Sequence, residues 1–493
     1  MRGSGILLPV SSLPSKYGIG TLGKEAYGFV DFLEKAGQTY WQILPLGQTG
    51  YGDSPYQSFS AFACNPYFID IDRLKKLALL TEEEINSSGM NETPGNIDYA
   101  NLYDTRLPLL RKAAARMDPH ERDYIAFVAD NAEWLESYGL FMAVKAERNM
   151  DPLWKWPKTI RLADKAKIEK ERIRLKEEIE FWRRIQYLFS TQWKMLKEYA
   201  NKMGIKIIGD MPIYVSADST ELWMEPELFQ TDESIKLCDV AGCPPDAFSK
   251  NGQLWGNPLY DWEYHKKTGF EWWVRRFRHA GSLYDIVRFD HFRGLSGYYS
   301  IPADHKTARR GSWKEGPGSC FIKAIKEELP EVGIIAEDLG FLTEDVKALL
   351  TESGFPGMKV LQFAFDSRER SDYLPYNYER NSVVYTGTHD NTTIKGWETS
   401  APEEDVSFAR EYMGISPEDD LSRAFIRLAM ASVSDTCIIP AQDWLGLGEE
   451  ARMNIPSTTS GNWKWRLKKG MLNDDLAAEI QRTTDIYGRL QHS

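Results

Sequence analysis

A chain of 493 residues with 42% hydrophobic and 27% charged side chains carries enough apolar material for a large folded core. Its 72 acidic and 60 basic residues leave a net charge of −12, which excludes the basic footprint of a general nucleic-acid binder. No apolar run is long enough to span a bilayer, and the one at Ile6-Leu7-Leu8-Pro9 is too short for a secretion signal. A cytoplasmic protein with no membrane or nucleic-acid partner is expected.

Five cysteines, Cys64, Cys238, Cys243, Cys320 and Cys437, are odd in number and scattered, which argues against a disulfide framework. Cys238 and Cys243 have no second Cys or His pair at zinc-like spacing, so ordinary thiols and no metal or other cofactor are expected. Aromatic residues stand out, with 16 Trp, 24 Tyr and 22 Phe, and many sit in loop-like contexts such as Tyr51-Gly52-Asp53-Ser54-Pro55-Tyr56. A large core accounts for most of them. The others suit a surface for oligosaccharides, whose C–H faces pack on rings while their hydroxyls take polar partners.

In chain order, Gly5–Leu8 reads as a strand, Ala26–Ala36 as a helix with Phe29, Phe32 and Leu33 on one face, and Tyr40–Leu44 as a second strand. This rhythm predicts a parallel sheet. It breaks over about 60–200, and residues 101–200 read as mostly helical apart from loops around Pro152 and Pro157. Within Leu162–Ala200, the spacing of Ile168, Leu175, Ile179, Trp182, Ile185 and Phe189 predicts an amphipathic helix packed on its own protein. Strands resume at Ile205–Gly209, Ile286–Phe289, Ile334–Ala336, Lys359–Phe363, Val383–Tyr385 and Cys437–Ile439. Eight strands, no internal repeat and no low-complexity linker predict an α/β fold, a single (β/α)₈ TIM barrel over 1–493. A mostly helical insertion over about 60–200 and a loop and helical insertion over about 242–285, beside the active site, complete the expected organisation.

Active sites in such barrels lie at the C-terminal ends of the strands. There the sequence places Asp210, then Asp290 and His291 with Arg288 inside the strand, then Glu337 and Asp338, then His389, Asp390 and Asn391. One carboxylate at a strand end is commonly a helix cap. Four at one mouth repel one another, a cost that points to a purpose. Glycoside chemistry fits: one carboxylate attacks, a carboxylic acid protonates the leaving oxygen, and further negative charge favours an oxocarbenium-like transition state. A P-loop lysine, a nucleophile-elbow serine and a zinc-binding helix are all missing. Asp338, alternating with Glu337 on the strand, is expected to point away from the site.

The blocks Ser11-Ser12-Leu13-Pro14 to Gly18-Ile19-Gly20, Tyr51–Asn65, Gly209-Asp210-Met211-Pro212, Arg288–Gly294, Ala336-Glu337-Asp338-Leu339-Gly340 and Gly387-Thr388-His389-Asp390-Asn391 resemble, in order and spacing, the amylomaltase-type 4-α-glucanotransferases. These are family 77 of the glycoside hydrolases, relatives of the α-amylases. The resemblance spans nearly the whole chain. It implies Asp290 as nucleophile, Glu337 as general acid and then base, and Asp390 as the group gripping the sugar of the cleaved subsite. It implies Arg288 as the residue that orients Asp290, and Asp210, Tyr56 and His389 as lining the same subsite. Tyr51 and Ser54 of the aromatic loop, and Trp255 of a covering segment over Gly242–Pro258 that also holds Asp246, Phe248, Gln253 and Asn257, are implied to meet the glucan.

The implied substrates are maltooligosaccharides and other 1,4-α-glucans, with glucose as an acceptor. From the carboxylates alone an α-amylase-like hydrolase is an alternative, since both enzymes need the same set. An inactive glucan-binding barrel would be expected to lose one of Asp290, Glu337 and Asp390, and all three are present.

Overall fold

The computed structural model describes residues 2–50, 52–90, 92, 94–162, 164–245, 249–340, 342–458 and 460–491. Among them run twelve strands: β1 (Gly3–Leu7), β2 (Tyr40–Gln42), β3 (Lys206–Met211), β4 (Asp239–Cys243), β5 (Gln253–Pro258), β6 (Ile286–Phe289), β7 (Gly297–Pro302), β8 (Ser312–Glu315), β9 (Gly333–Ala336), β10 (Gly357–Val360), β11 (Ser382–Tyr385) and β12 (Thr436–Pro440). Eight of them close into a parallel barrel in the order β1-β12-β11-β10-β9-β6-β3-β2, the expected (β/α)₈ architecture. The other four form an antiparallel sheet in the order β5-β4-β7-β8. This sheet was not expected, and it draws β5 out of the segment 242–285, which otherwise holds the helices Trp262–Lys267 and Glu271–Leu283.

All eight expected barrel strands are present, Ile286–Phe289 with the expected bounds and the others with shifted ends. β1 begins at Gly3, whose carbonyl is gathered with those of Ser432 and Ser434 by the fully buried guanidinium of Arg489. β3 runs on through Met211 because β6 pairs with it that far, so Asp210 lies inside the strand and not after it. Of 359–363 only Lys359 and Val360 are strand. β10 starts at Gly357, where Asp338 Oδ1 accepts the Met358 N–H at 2.7 Å, and Leu361–Phe363 coil into a 3₁₀ turn.

Between β2 and β3 the chain makes a series of helices from Ile71 to Lys202. The stretch read as one amphipathic helix is two, Lys165–Arg174 and Lys176–Lys202, broken at Leu175. The longer one buries Ile179, Trp182, Ile185 and Phe189 along one face. Two glutamines on it fasten the loop that follows β2. Gln186 exchanges two hydrogen bonds with the backbone of Cys64, at 2.9 and 2.8 Å, and Gln192 Oε1 accepts the Asp70 N–H at 2.7 Å. Among the described residues no helix is long and apolar enough to cross a membrane.

Register decides which side chains meet inside the barrel, because paired residues of parallel strands share a face. Gln42 pairs with Ile208, Asp210 with Arg288, and Arg288 with Ile335. Tyr385 on β11 donates its O–H to Gln42 Oε1 at 2.9 Å across the interior, which marks this face as the inner one. On the outer face Gly209 lies against Tyr284, so closely that a Cβ would stand 2.1 Å from the ring.

Candidate active site

Asp210, Arg288 and Asp290 occupy one inner face by strand alternation. Glu337 follows β9 on the face of Ile335, the register partner of Arg288. Its N–H bonds Phe289 O at 3.0 Å and its C=O accepts the Phe292 N–H at 2.9 Å, so the β6–β9 ladder continues past the strands and sets Asp290 beside Glu337.

Arg288 ties two of these carboxylates together. Its Nη1 lies 2.8 Å from both oxygens of Asp210 and 3.0 Å from Asp290 Oδ1. The Arg288 and Asp210 side chains are fully enclosed, whereas Asp290 keeps 26% of its side chain open to the cleft. Tyr56 bridges the loop after β2 to the loop after β11: its hydroxyl donates to Asp210 Oδ2 at 2.7 Å and lies 2.9 Å from His389 Nε2. With its one proton given to Asp210, the hydroxyl accepts from Nε2–H, which fixes the tautomer of His389. Burial holds that imidazole below the usual histidine range, hence neutral. Asp390, half-exposed, takes a 2.6 Å hydrogen bond from Asn454 Nδ2 on Oδ1, and its backbone carbonyl accepts from Arg452 Nη2 at 3.0 Å.

Glu337 accepts the His291 N–H on Oε2 at 2.6 Å and the Leu339 N–H on Oε1 at 3.0 Å. Burial raises its carboxyl to about 8, and the neighbouring Asp290 adds to the rise; the guanidinium of Arg288 and the two N–H groups oppose it without prevailing. Burial also raises Asp290, with Arg288 the main opposing influence and Asp210 and Asp390 pushing further upward. The two share a proton as a pair. Direct contact with Arg288 makes Asp290 the member that ionises first, and Glu337 keeps the proton.

The opposite wall is aromatic. His291, in the left-handed region at φ 53°, turns its N–H onto Glu337 and meets the Trp255 ring edge-on, with centroids 4.9 Å apart at 88°. Tyr214 lies 6.2 Å from Trp255. Gln57 Nε2 donates to Asn257 Oδ1 at 3.0 Å, linking the Tyr56 loop to β5. Ser54 shapes its own turn, accepting the Tyr56 N–H on Oγ at 3.2 Å. Asp338 points away from Glu337 and caps the Met358 N–H. Tyr51, Asp246 and Phe248 lie outside the described residues. Asp210, Tyr56, Arg288, Asp290, Glu337, His389 and Asp390 are therefore gathered at one mouth, and Trp255 flanks it.

Sequence reasoning missed Asn454, Arg452, Trp463 and Gln57. Trp463 packs its ring 5.8 Å from Tyr56 and 5.9 Å from His389, and the Asn454 N–H bonds His389 O at 3.1 Å. Arg452, Asn454 and Trp463 follow β12 in a stretch without strand or helix periodicity, and Gln57 lies in the loop after β2, so no local signal marked them. Among the described residues no group of three or more His, Cys, Asp or Glu could hold a metal ion, and all five cysteines are free.

Residues 8–473 match the family model described as 4-alpha-glucanotransferase. Over 485 residues, covering 98% of this chain and 100% of the relative, the sequence is 49% identical to a 4-alpha-glucanotransferase of Clostridium butyricum. It is 46% identical to a 4-alpha-glucanotransferase of Streptococcus pneumoniae over 496 residues, covering 100% and 98% of the two chains. The fold superposes on the amylomaltase of Streptococcus agalactiae in complex with acarbose with a TM-score of 0.96, at 42% identity and with both chains covered completely. This chain belongs to the 4-alpha-glucanotransferase family, glycoside hydrolase family 77.

Proposed function

We propose that the chain transfers segments of 1,4-α-glucans to the 4-hydroxyl of an acceptor glucan or glucose, with retention, in two displacements. The observation that carries this reading is the Asp290–Glu337 pair, in which one carboxylate is held by Arg288 and the other is raised to about 8. In the first step Asp290 Oδ attacks the anomeric carbon of the donor. The bond to the departing glucan breaks, and the proton on Glu337 passes to the leaving oxygen. In the second step the acceptor's 4-hydroxyl attacks the glucosyl–enzyme, Glu337 takes back its proton and the Asp290 ester is released. Both hydrogen bonds to Glu337 survive these exchanges, since each oxygen has a second lone pair for the proton.

Asp390, anchored by Asn454, and His389, anchored by Tyr56, grip the hydroxyls of the ring over Asp290. Asp210 acts beneath them by fixing Arg288. Transfer outruns hydrolysis when the acceptor is held and water is kept away, and the Trp255–His291–Tyr214 wall serves that end. The test is incubation with pure maltotriose and separation of the products by size. Longer maltooligosaccharides together with glucose support transfer; maltose and glucose alone make the chain a hydrolase.

A further inference from the structure

We propose that Trp313, mounted on Arg293, is a glucan-binding platform on the acceptor side of the cleft, a reading that rests on the transferase function above. Trp313 lies on β8, an edge strand whose four residues are all exposed. The residue keeps 45% of its surface open to solvent. Its ring is nevertheless rigidly mounted. Its register partner, the buried Tyr299, meets it at 5.3 Å and 63°, and the guanidinium carbon of Arg293 stands 4.3 Å from its centroid.

This mount is continuous with the catalytic carboxylates. Arg293 follows Asp290 by three residues, in the 3₁₀ turn Phe292–Leu295. The Phe292 N–H at the head of that turn bonds Glu337 O at 2.9 Å. At the other end the chain leaving β8 docks on the same turn, with the Gly316 N–H on Ser296 O and the Gly318 N–H on Leu295 O, both at 2.8 Å. A Cβ on Gly316 would meet Leu295 O at 2.2 Å, so this close approach needs glycine. Trp313 is thus held at a fixed offset from Asp290 by short backbone links.

The chemistry and the side of the cleft both point to the acceptor. Tyr56, His389 and Asp390 surround Asp290 on the β11 side, where the cleaved ring sits. Glu337, the group proposed to protonate the bond to the next ring, accepts the His291 N–H at 2.6 Å, so the His291–Arg293 turn lies on the side where the rings beyond that bond would sit. An aromatic face offers packing to sugar C–H groups.

The test compares wild type with Trp313→Ala and Trp313→Phe, using α-maltotriosyl fluoride as donor and acceptors from glucose to maltopentaose. The readout is the kcat/KM for maltotetraose divided by that for glucose. It is expected to fall about tenfold in the alanine variant, equivalent to ~1.4 kcal/mol, and to stay near wild type in the phenylalanine variant. An unchanged ratio in Trp313→Ala overturns the platform. A loss equal at every acceptor length in both variants also overturns it, because that is the mark of a structural role. If wild type only hydrolyses, the transferase reading fails by itself. Calorimetric binding of maltohexaose to Asp290→Asn, with and without Trp313→Ala, then decides: weaker binding supports the platform and unchanged binding rejects it.

Discussion

Arg288 reaches Asp290 Oδ1 at 3.0 Å with the same nitrogen that stands 2.8 Å from both oxygens of Asp210. One enclosed cation therefore favours the ionised form of Asp290 and anchors it to β3. Replacing Arg288 with lysine keeps the charge and loses the planar fork. We expect kcat/KM for maltotriose to fall by about a hundredfold or more, since a misplaced reacting group costs on that order. The acid limb of the pH–rate profile should move upward, because Asp290 loses the close guanidinium contact and hydrogen bond that oppose its rise, although a positive charge remains on the side chain. A profile unchanged in position would show that Arg288 does not govern Asp290.

In the proposed mechanism Glu337 carries a proton in the first step, and its carboxyl is raised to about 8. Turnover should therefore decline as pH rises through that value, where the acid form is lost. Glu337→Gln should reduce maltotriose turnover by about 10²–10⁴. It should largely restore glucosyl–enzyme formation from a glucosyl fluoride, whose leaving group needs no proton. Equal losses on both donors would remove Glu337 from the acid role.

Gly209 immediately precedes Asp210, and a Cβ there would stand 2.1 Å from the enclosed Tyr284 ring. Gly209→Ala should lower stability by about 1–3 kcal/mol through overpacking and displace β3. Denaturant unfolding together with activity checks this: both should fall, and a wild-type midpoint would contradict the packing.

His265 is fully buried, and burial holds it at about 4; its Nε2 lies 3.2 Å from Leu228 O. A folded value below the unfolded one means that its contribution is present above about pH 6.5 and is lost as pH falls through about 4. The loss amounts to about 3 kcal/mol. Stability of His265→Gln should depend less on pH across that window than wild type, as measured by urea midpoints between pH 7 and 4.

The barrel was legible because most strands are short runs of apolar residues bounded by polar ones, and inward carboxylates stand near or beyond the ends of four of them. Arg288, Asp290 and Glu337 could be placed on one face by alternation alone. The antiparallel sheet was not legible. Asp239–Cys243 and Ser312–Glu315 lack the apolar runs that mark the barrel strands, and a bulge between Val240 and Gly242 disturbs the pairing with β5. Asn454 and Trp463 reach the site by tertiary packing across a long stretch of chain, which periodicity does not report. The end of β10 was misread because Leu361-Gln362-Phe363 continue an apolar run while the backbone has already turned.

In the proposed mechanism Asp290 forms a covalent glucosyl–enzyme that Glu337 then resolves. Glu337→Gln, incubated with α-glucosyl fluoride and quenched, can be digested and its peptides weighed by mass spectrometry. A single hexose is expected on the peptide containing Asp290, lost when that residue is changed to asparagine. A hexose on another residue, or product of inverted anomeric configuration with no adduct, would contradict it.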